Sequence, residues 1–139
     1  MKKVLALILA LTMVGALAAC GSSPKTVSEQ LAGQTYTLLS LDFANQEATD
    51  ITAENIDAYK QMLGNDVVTV VFGQDGTGTI DMSGTVYNFT YDDEKLISDI
   101  SAYNAAKDTE ILNISFNEAG ELVLDSEFGD VITLGKATK

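Results

Sequence analysis

The sequence predicts one small β-rich domain, an antiparallel meander of about eight strands that closes into a barrel or half-barrel. From Gln34 onward, runs of Thr, Val, Ile, Tyr and Phe alternate with polar residues, and glycine-containing turns separate these runs. Only residues 52–63, after the first strand, follow a helical pattern. Short strands leave exposed edges that closure removes, and an eight-stranded barrel is filled by side chains or holds one small ligand.

Each strand is predicted from its alternation and its flanking turns. The near-continuous valines of the second strand suggest that it is covered on both faces for part of its length. Asp75-Gly76 and Ser83-Gly84 supply the turn residues of two hairpins. The predicted strands cover residues 34–42, 66–73, 78–82, 85–91, 95–97, 109–116, 121–125 and 131–136.

The helical segment has its own start and stop signals. Thr52 is the expected N-cap, Ile56, Tyr59 and Leu63 share one face, and Gly64 ends the helix. We expect this helix to cover one opening of the barrel. Residues 98–108 favour a loop or a short helical turn around residues 102–107.

The first residues have the layout of a secretory signal. Lys2 and Lys3 form a basic start, and residues 4–17 are almost unbroken Leu, Ala, Ile, Val and Met. With Ala18 and Ala19 the run has about 16 residues, which fall short of the roughly 20 that a membrane-spanning helix needs, and no cluster of positive charge follows. A transmembrane anchor is therefore disfavoured.

The residues after this run are Leu17-Ala18-Ala19-Cys20, which resemble the lipobox of bacterial lipoproteins. The resemblance implies cleavage between Ala19 and Cys20, diacylglycerol on the Cys20 sulfur and a further fatty acid such as palmitate on the new amino terminus. We expect a signal peptide over residues 1–19, a lipidated cysteine and flexible tether over 20–30, and one domain over 31–139. The protein would then be anchored by lipid on the extracytoplasmic face of the cell membrane.

Charge excludes some partners. The whole chain has a net charge of −12, and without the two lysines of residues 1–19 six lysines face 20 acidic residues, a net −14. Such a surface repels nucleic acid and anionic headgroups, so we expect no nucleic-acid partner and a monomer. A cationic partner or divalent ions are the alternatives to simple solubility. Cys20 is the single cysteine, so no disulfide stabilises the domain.

The chain offers few groups for catalysis. It contains no His and no Arg, which removes the usual general base and the best clamp for phosphate. Asp92, Asp93 and Glu94 lack the spacing of a Ca²⁺ loop and are interpreted as a solvated turn. We therefore expect no enzyme, no metal site and no cofactor.

The body of the chain resembles small lipocalin-like lipoproteins of Gram-positive bacteria. The resemblance rests on LAGQTYTL at residues 31–38, the helix, VTVVFGQDGTGTIDMSGTVYNFTYDDEKL at 68–96, and the late strands ELVLD and VITLGK. Tyr36 stands where such chains often have Trp. The resemblance implies a lipocalin-like barrel and no catalytic residue.

One aromatic row is the candidate ligand site. Tyr87, Phe89 and Tyr91 share one face of their strand, and they either line a pocket for an apolar or sugar-like molecule or pack the core. The function predicted best is a membrane-anchored binding or interaction module. The alternative is an envelope structural or inhibitory protein that binds another macromolecule.

Overall fold

Eight antiparallel strands form one closed barrel in which each strand pairs with the next and β8 pairs with β1. The computed structural model describes residues 24–45, 50–99 and 109–138. The predicted fold class is confirmed. The elements are α1 (Val27–Leu31), β1 (Thr35–Asp42), α2 (Ile56–Leu63), β2 (Val68–Phe72), β3 (Thr77–Met82), β4 (Thr85–Tyr91), β5 (Lys95–Ser98), β6 (Glu110–Phe116), β7 (Leu122–Ser126) and β8 (Val131–Lys136).

The period-two pattern of the strands decides which side chains form the core. On β4, Tyr87, Phe89 and Tyr91 are buried and the residues between them are exposed. β2 follows the same rule, because Val71 is 41 % exposed between buried Val70 and Phe72. The expected coverage on both faces holds only where the predicted strand begins, since consecutive Val67 and Val68 are both buried, whereas Val71 faces solvent.

β1 contains an irregularity that the alternation did not predict. Leu38 pairs with Leu134 and Ser40 pairs with Thr133, so Leu39 is an extra residue between two pairs. An extra residue shifts the alternation by one and increases the local twist. The inward positions therefore change from Tyr36 and Leu38 before the bulge to Leu41 after it.

All but the last residue of helix α1 lie within the segment predicted as tether. Thr26 accepts a hydrogen bond from the backbone N–H of Glu29, and the Glu29 carboxylate accepts one from the Thr26 N–H, which completes a capping box. The N–H of Ser28 donates to the Asp93 carboxylate, and Leu31 is fully buried. The ordered domain therefore begins before residue 31, where sequence reasoning placed its boundary.

Helix α2 begins three residues later than predicted. Its N-cap is Asn55, and Thr52 instead lies in a turn where its backbone carbonyl accepts from the N–H groups of Asn55 and Ile56. The Asn55 side-chain oxygen accepts a hydrogen bond from the N–H of Thr52. The side chain of Asn55 therefore stabilises the turn before the helix and does not cap the helix. The predicted end at Gly64 is confirmed by its φ of 74°, which a glycine adopts without strain.

The two ends of the barrel differ. Leu31 of α1 belongs to the core at the end where β1 starts, and the N–H of Gly33 there donates to the Phe72 carbonyl. The connection that contains α2 lies at the other end, between Asp42 and Val68. Leu41 and Ile51 form an isolated bridge along this connection. Ile56 of α2 is buried in the core and Tyr59 packs against it, although neither lines the cavity at that end.

Several predictions fall on residues outside the described ranges. Cys20, Ala19 and the predicted signal segment are among them, and so are residues 102–107 with their proposed helical turn. Within the described ranges, no helix is long and apolar enough to span a bilayer.

Candidate functional site

The half of the interior next to α1 is filled by aromatic rings. Phe72 of β2 is the centre of this cluster, and it contacts Tyr36, Phe89 and Tyr91 edge-to-face at centroid distances of 5.8, 5.3 and 4.9 Å. Such geometry places the positive edge of one ring on the negative face of the next. This half of the barrel is therefore a packed core.

The opposite half encloses a cavity of about 250 Å³. Most of its wall is apolar, and the polar groups lie near the strand ends that surround the opening. The lining residues are Leu41, Phe43, Val68, Val70, Ile80, Met82, Tyr87, Ser98, Glu110, Leu112, Leu124, Ser126, Asp130 and Ile132. An apolar concave site with a few convergent polar groups is the usual form of a small-molecule pocket.

Ser98 is the most informative polar residue of this wall. It is the last residue of β5 and points inward, it is only 2 % exposed, and its hydroxyl has no hydrogen-bond partner among the residues that the structure describes. An unsatisfied buried hydroxyl costs about 1–3 kcal/mol, so native interiors rarely keep one without a reason. A ligand in the cavity would supply the missing partner.

Ser126 is likewise the last residue of its strand, β7, but its hydroxyl has hydrogen-bond partners. Its hydroxyl oxygen accepts hydrogen bonds from the N–H groups of Phe128 and Asp130, at 3.3 and 3.1 Å. These bonds fix the turn between β7 and β8. Ser126 is therefore a structural residue, and its satisfied hydroxyl contrasts with that of Ser98.

Two carboxylates give the cavity its electrostatic character. Glu110 is the first residue of β6 and the cross-strand partner of Ser98, while Asp130 accepts from the backbone N–H of Ala44 at 3.0 Å. Both are half-buried and line the cavity. No lysine is among the lining residues that the structure describes. These two carboxylates therefore give the described part of the rim a negative character.

The predicted aromatic row is divided between the two halves. Tyr87 lines the cavity, whereas Phe89 and Tyr91 contact each other and Phe72 in the packed cluster. The Tyr91 hydroxyl donates to the Gly73 carbonyl at 2.5 Å. The three rings share one strand face as expected, but the structure does not bring them together around one space.

Titratable groups with shifted pKa values lie at the α1 end. Hydrogen bonds from Thr77 lower the pKa of Asp75. The backbone N–H groups of Glu94 and Lys95 lower the pKa of Asp92. A hydrogen bond from the N–H of Ser28 lowers the pKa of Asp93. All three carboxylates organise turns or dock α1. Burial raises the pKa of Tyr91, and the nearby charge of Asp75 raises it further.

Metal binding finds no support in the described ranges, where no group of three or more potential ligand side chains converges. Asp92 and Asp93 use their oxygens on backbone N–H donors, as a solvated turn does. The outer face of β2–β5 carries a second, more open groove, with Val71, Asn88 and Ile97 on its wall.

Sequence reasoning missed Ser98, Glu110, Ser126 and Asp130 as cavity residues. The signal for two of them is present in the alternation. Ser98 stands two residues after buried Leu96, and Ser126 two after buried Leu124. A polar residue at an inward position of a strand is the pattern that identifies such a site.

Comparison with known proteins supports the architecture. No protein-family model matches the chain, and no curated protein matches it. A solution NMR structure of a protein from Burkholderia xenovorans is similar, with a TM-score of 0.53 and 14 % sequence identity. The match covers 86 % of this chain and 94 % of that one. At this identity the similarity extends to the fold alone.

Proposed function

We propose that the protein is a lipid-anchored extracytoplasmic protein of the lipocalin-like kind that binds a small, largely apolar ligand inside its barrel. The observation that carries this proposal is the cavity of about 250 Å³ with apolar walls at one end of the barrel. A dry apolar cavity of about 150 Å³ is enough to bind benzene. The space here therefore suits a compact molecule a little larger than a single ring.

The anchor follows from the Leu17-Ala18-Ala19-Cys20 lipobox pattern after an apolar run. Between Cys20 and α1 lie only residues 21–26, and six residues reach at most about 22 Å even when fully extended. The α1 end of the barrel would then stay near the membrane. Because the cavity lies at the opposite end, a ligand would enter from the aqueous side.

Ligand binding is tested with toluene and methyl NMR on the full chain in lipid nanodiscs. We expect toluene to shift the methyl signals of Val70, Leu112 and Leu124, which line the cavity. Ile80→Phe should fill the space and abolish these shifts, while Val86→Phe on the outer face serves as the matched control. Wild-type methyl signals that stay unchanged up to millimolar toluene would contradict the proposal.

The anchor is tested separately with a fatty-acid probe in growing cells. Cys20→Ser should abolish incorporation of the probe and leave the chain unprocessed, whereas Ser22→Ala should leave labelling unchanged. Labelling of the Cys20→Ser variant would refute lipid attachment at this residue.

A second candidate function is binding of another envelope protein through the outer face of the barrel. Val71, Ile97 and Ile111 are exposed on this face, and Ile97 and Ile111 are cross-strand partners. Exposed apolar side chains in one area are typical of interaction surfaces. If this function holds, Ile97→Lys should remove a specific cross-linked adduct in intact envelopes, and Ile80→Phe should leave it in place.

A further inference from the structure

We infer that the cavity selects ligands whose apolar ring or short chain carries a neutral or positively charged polar group, and that Ser98 binds this group. The inference rests on the proposed function and adds the chemical class of the ligand. It predicts that alcohols and amines bind better than hydrocarbons of the same shape, and that carboxylates bind worst.

The first step is the position of the Ser98 hydroxyl. Ser98 lines the cavity, and its buried hydroxyl has no hydrogen-bond partner within the described ranges. A serine hydroxyl both donates and accepts, so it can pair with an alcohol, and it can accept from an ammonium group. A hydrocarbon ligand would leave it unsatisfied, which gives the site a preference that apolar walls alone do not provide.

The second step is the charge around that hydroxyl. Glu110 is the direct cross-strand neighbour of Ser98, and Asp130 lines the same cavity. A carboxylate ligand would bring a third negative charge beside them, and the described wall contains no lysine to pair with it. An ammonium group would instead be attracted to both acids.

The third step concerns how deep in the cavity the apolar lining residues lie. Val70, Ile80 and Leu124 lie deeper along their strands than the polar residues at the strand ends. A ligand would therefore place its apolar part toward the aromatic cluster and its polar group toward the opening. This orientation brings the polar group level with Ser98.

The test compares four probes that share one ring: toluene, benzyl alcohol, benzylammonium and benzoate. Each is titrated into the full chain in nanodiscs and followed by the methyl signals of the cavity, with empty nanodiscs correcting for partition into lipid. We expect benzyl alcohol to bind about three- to tenfold more tightly than toluene, the effect of one additional hydrogen bond. Benzoate should bind at least about tenfold more weakly than benzyl alcohol.

Two variants assign these preferences to residues. Ser98→Ala should remove the advantage of benzyl alcohol over toluene, whereas Ser115→Ala on the outer face should leave the ratio of the two affinities unchanged. Glu110→Gln should strengthen benzoate binding relative to wild type. Thermal melts of each variant confirm that the barrel is folded before affinities are compared.

The outcomes separate the two proposals. If no probe shifts the cavity methyls, the proposed function fails and the inference fails with it. If toluene binds but benzyl alcohol gains nothing, or benzoate binds as tightly as the alcohol, only the inference is overturned. An alcohol preference that survives Ser98→Ala would overturn the assignment to this residue.

Discussion

Phe89 on β4 lies directly opposite Ser98 on β5, and this pair marks the boundary between the packed and the open half of the barrel. On the Phe89 side, four aromatic rings fill the interior. On the Ser98 side, the strands continue around a cavity lined by Ser98, whose hydroxyl lacks a partner in the described part of the chain. The same cross-strand position thus contributes to both the stability of the fold and the candidate binding site.

The two buried serines should respond oppositely to the loss of their hydroxyl. Ser98→Ala removes an unsatisfied group, so we expect the free energy of unfolding to stay level or rise by up to about 1 kcal/mol. Ser126→Ala removes an acceptor of two backbone hydrogen bonds and should cost about 1–2 kcal/mol. Urea unfolding measures both. A clear loss of stability in Ser98→Ala would show that its hydroxyl has a structural partner.

Gly78 should not tolerate a side chain. A Cβ at this position would lie under 3.0 Å from both the Phe89 ring and the Val71 carbonyl oxygen. We expect Gly78→Ala to destabilise the barrel by about 1–3 kcal/mol, the usual cost of overpacking. Gly64→Ala is the matched control, since its Cβ would meet nothing within 4 Å and only the positive φ is strained. A Gly78→Ala variant as stable as wild type would contradict this interpretation of the Phe89 contact.

Tyr91 should contribute through its hydroxyl as well as its ring. Tyr91→Phe keeps the edge-to-face contact with Phe72 but loses the hydrogen bond to the Gly73 carbonyl, so it should cost about 1 kcal/mol. Tyr87→Phe makes the same chemical change at the cavity wall and should cost less. The prediction fails if chemical denaturation finds the Tyr87 variant the less stable of the two.

Acid should weaken the end of the barrel that α1 closes. Asp92 and Asp93 have folded-state pKa values below the usual 3.8, because backbone N–H groups donate to their carboxylates. The stability they add is present above that value and is lost as the pH falls through the lower folded pKa. Asp93→Asn should therefore flatten the fall in melting temperature between about pH 4 and pH 2. A fall in the melting temperature of the Asp93→Asn variant as steep as that of wild type would contradict this prediction.

The alternation of apolar and polar residues predicted most of this fold, because in a single-layer barrel successive residues of each strand face the interior and the solvent in turn. The bulge at Leu39 and the late start of α2 at Ile56 depend on pairing and side-chain competition that no local pattern contains. Helix α1 was missed because its five residues are too few for a periodic signal. The cavity could not be predicted, since it depends on how completely side chains from eight strands fill one space.

The most direct test of a ligand-binding barrel is a crystal structure of the protein soaked with 4-bromobenzyl alcohol. The anomalous signal of bromine locates the ring independently of the fitted chain. We predict one bromine site within the cavity between Ile80 and Leu124, with the alcohol oxygen within hydrogen-bond distance of the Ser98 hydroxyl. An interior filled by the protein's own side chains, or a bromine site only in the outer groove beside Ile97, would contradict the account.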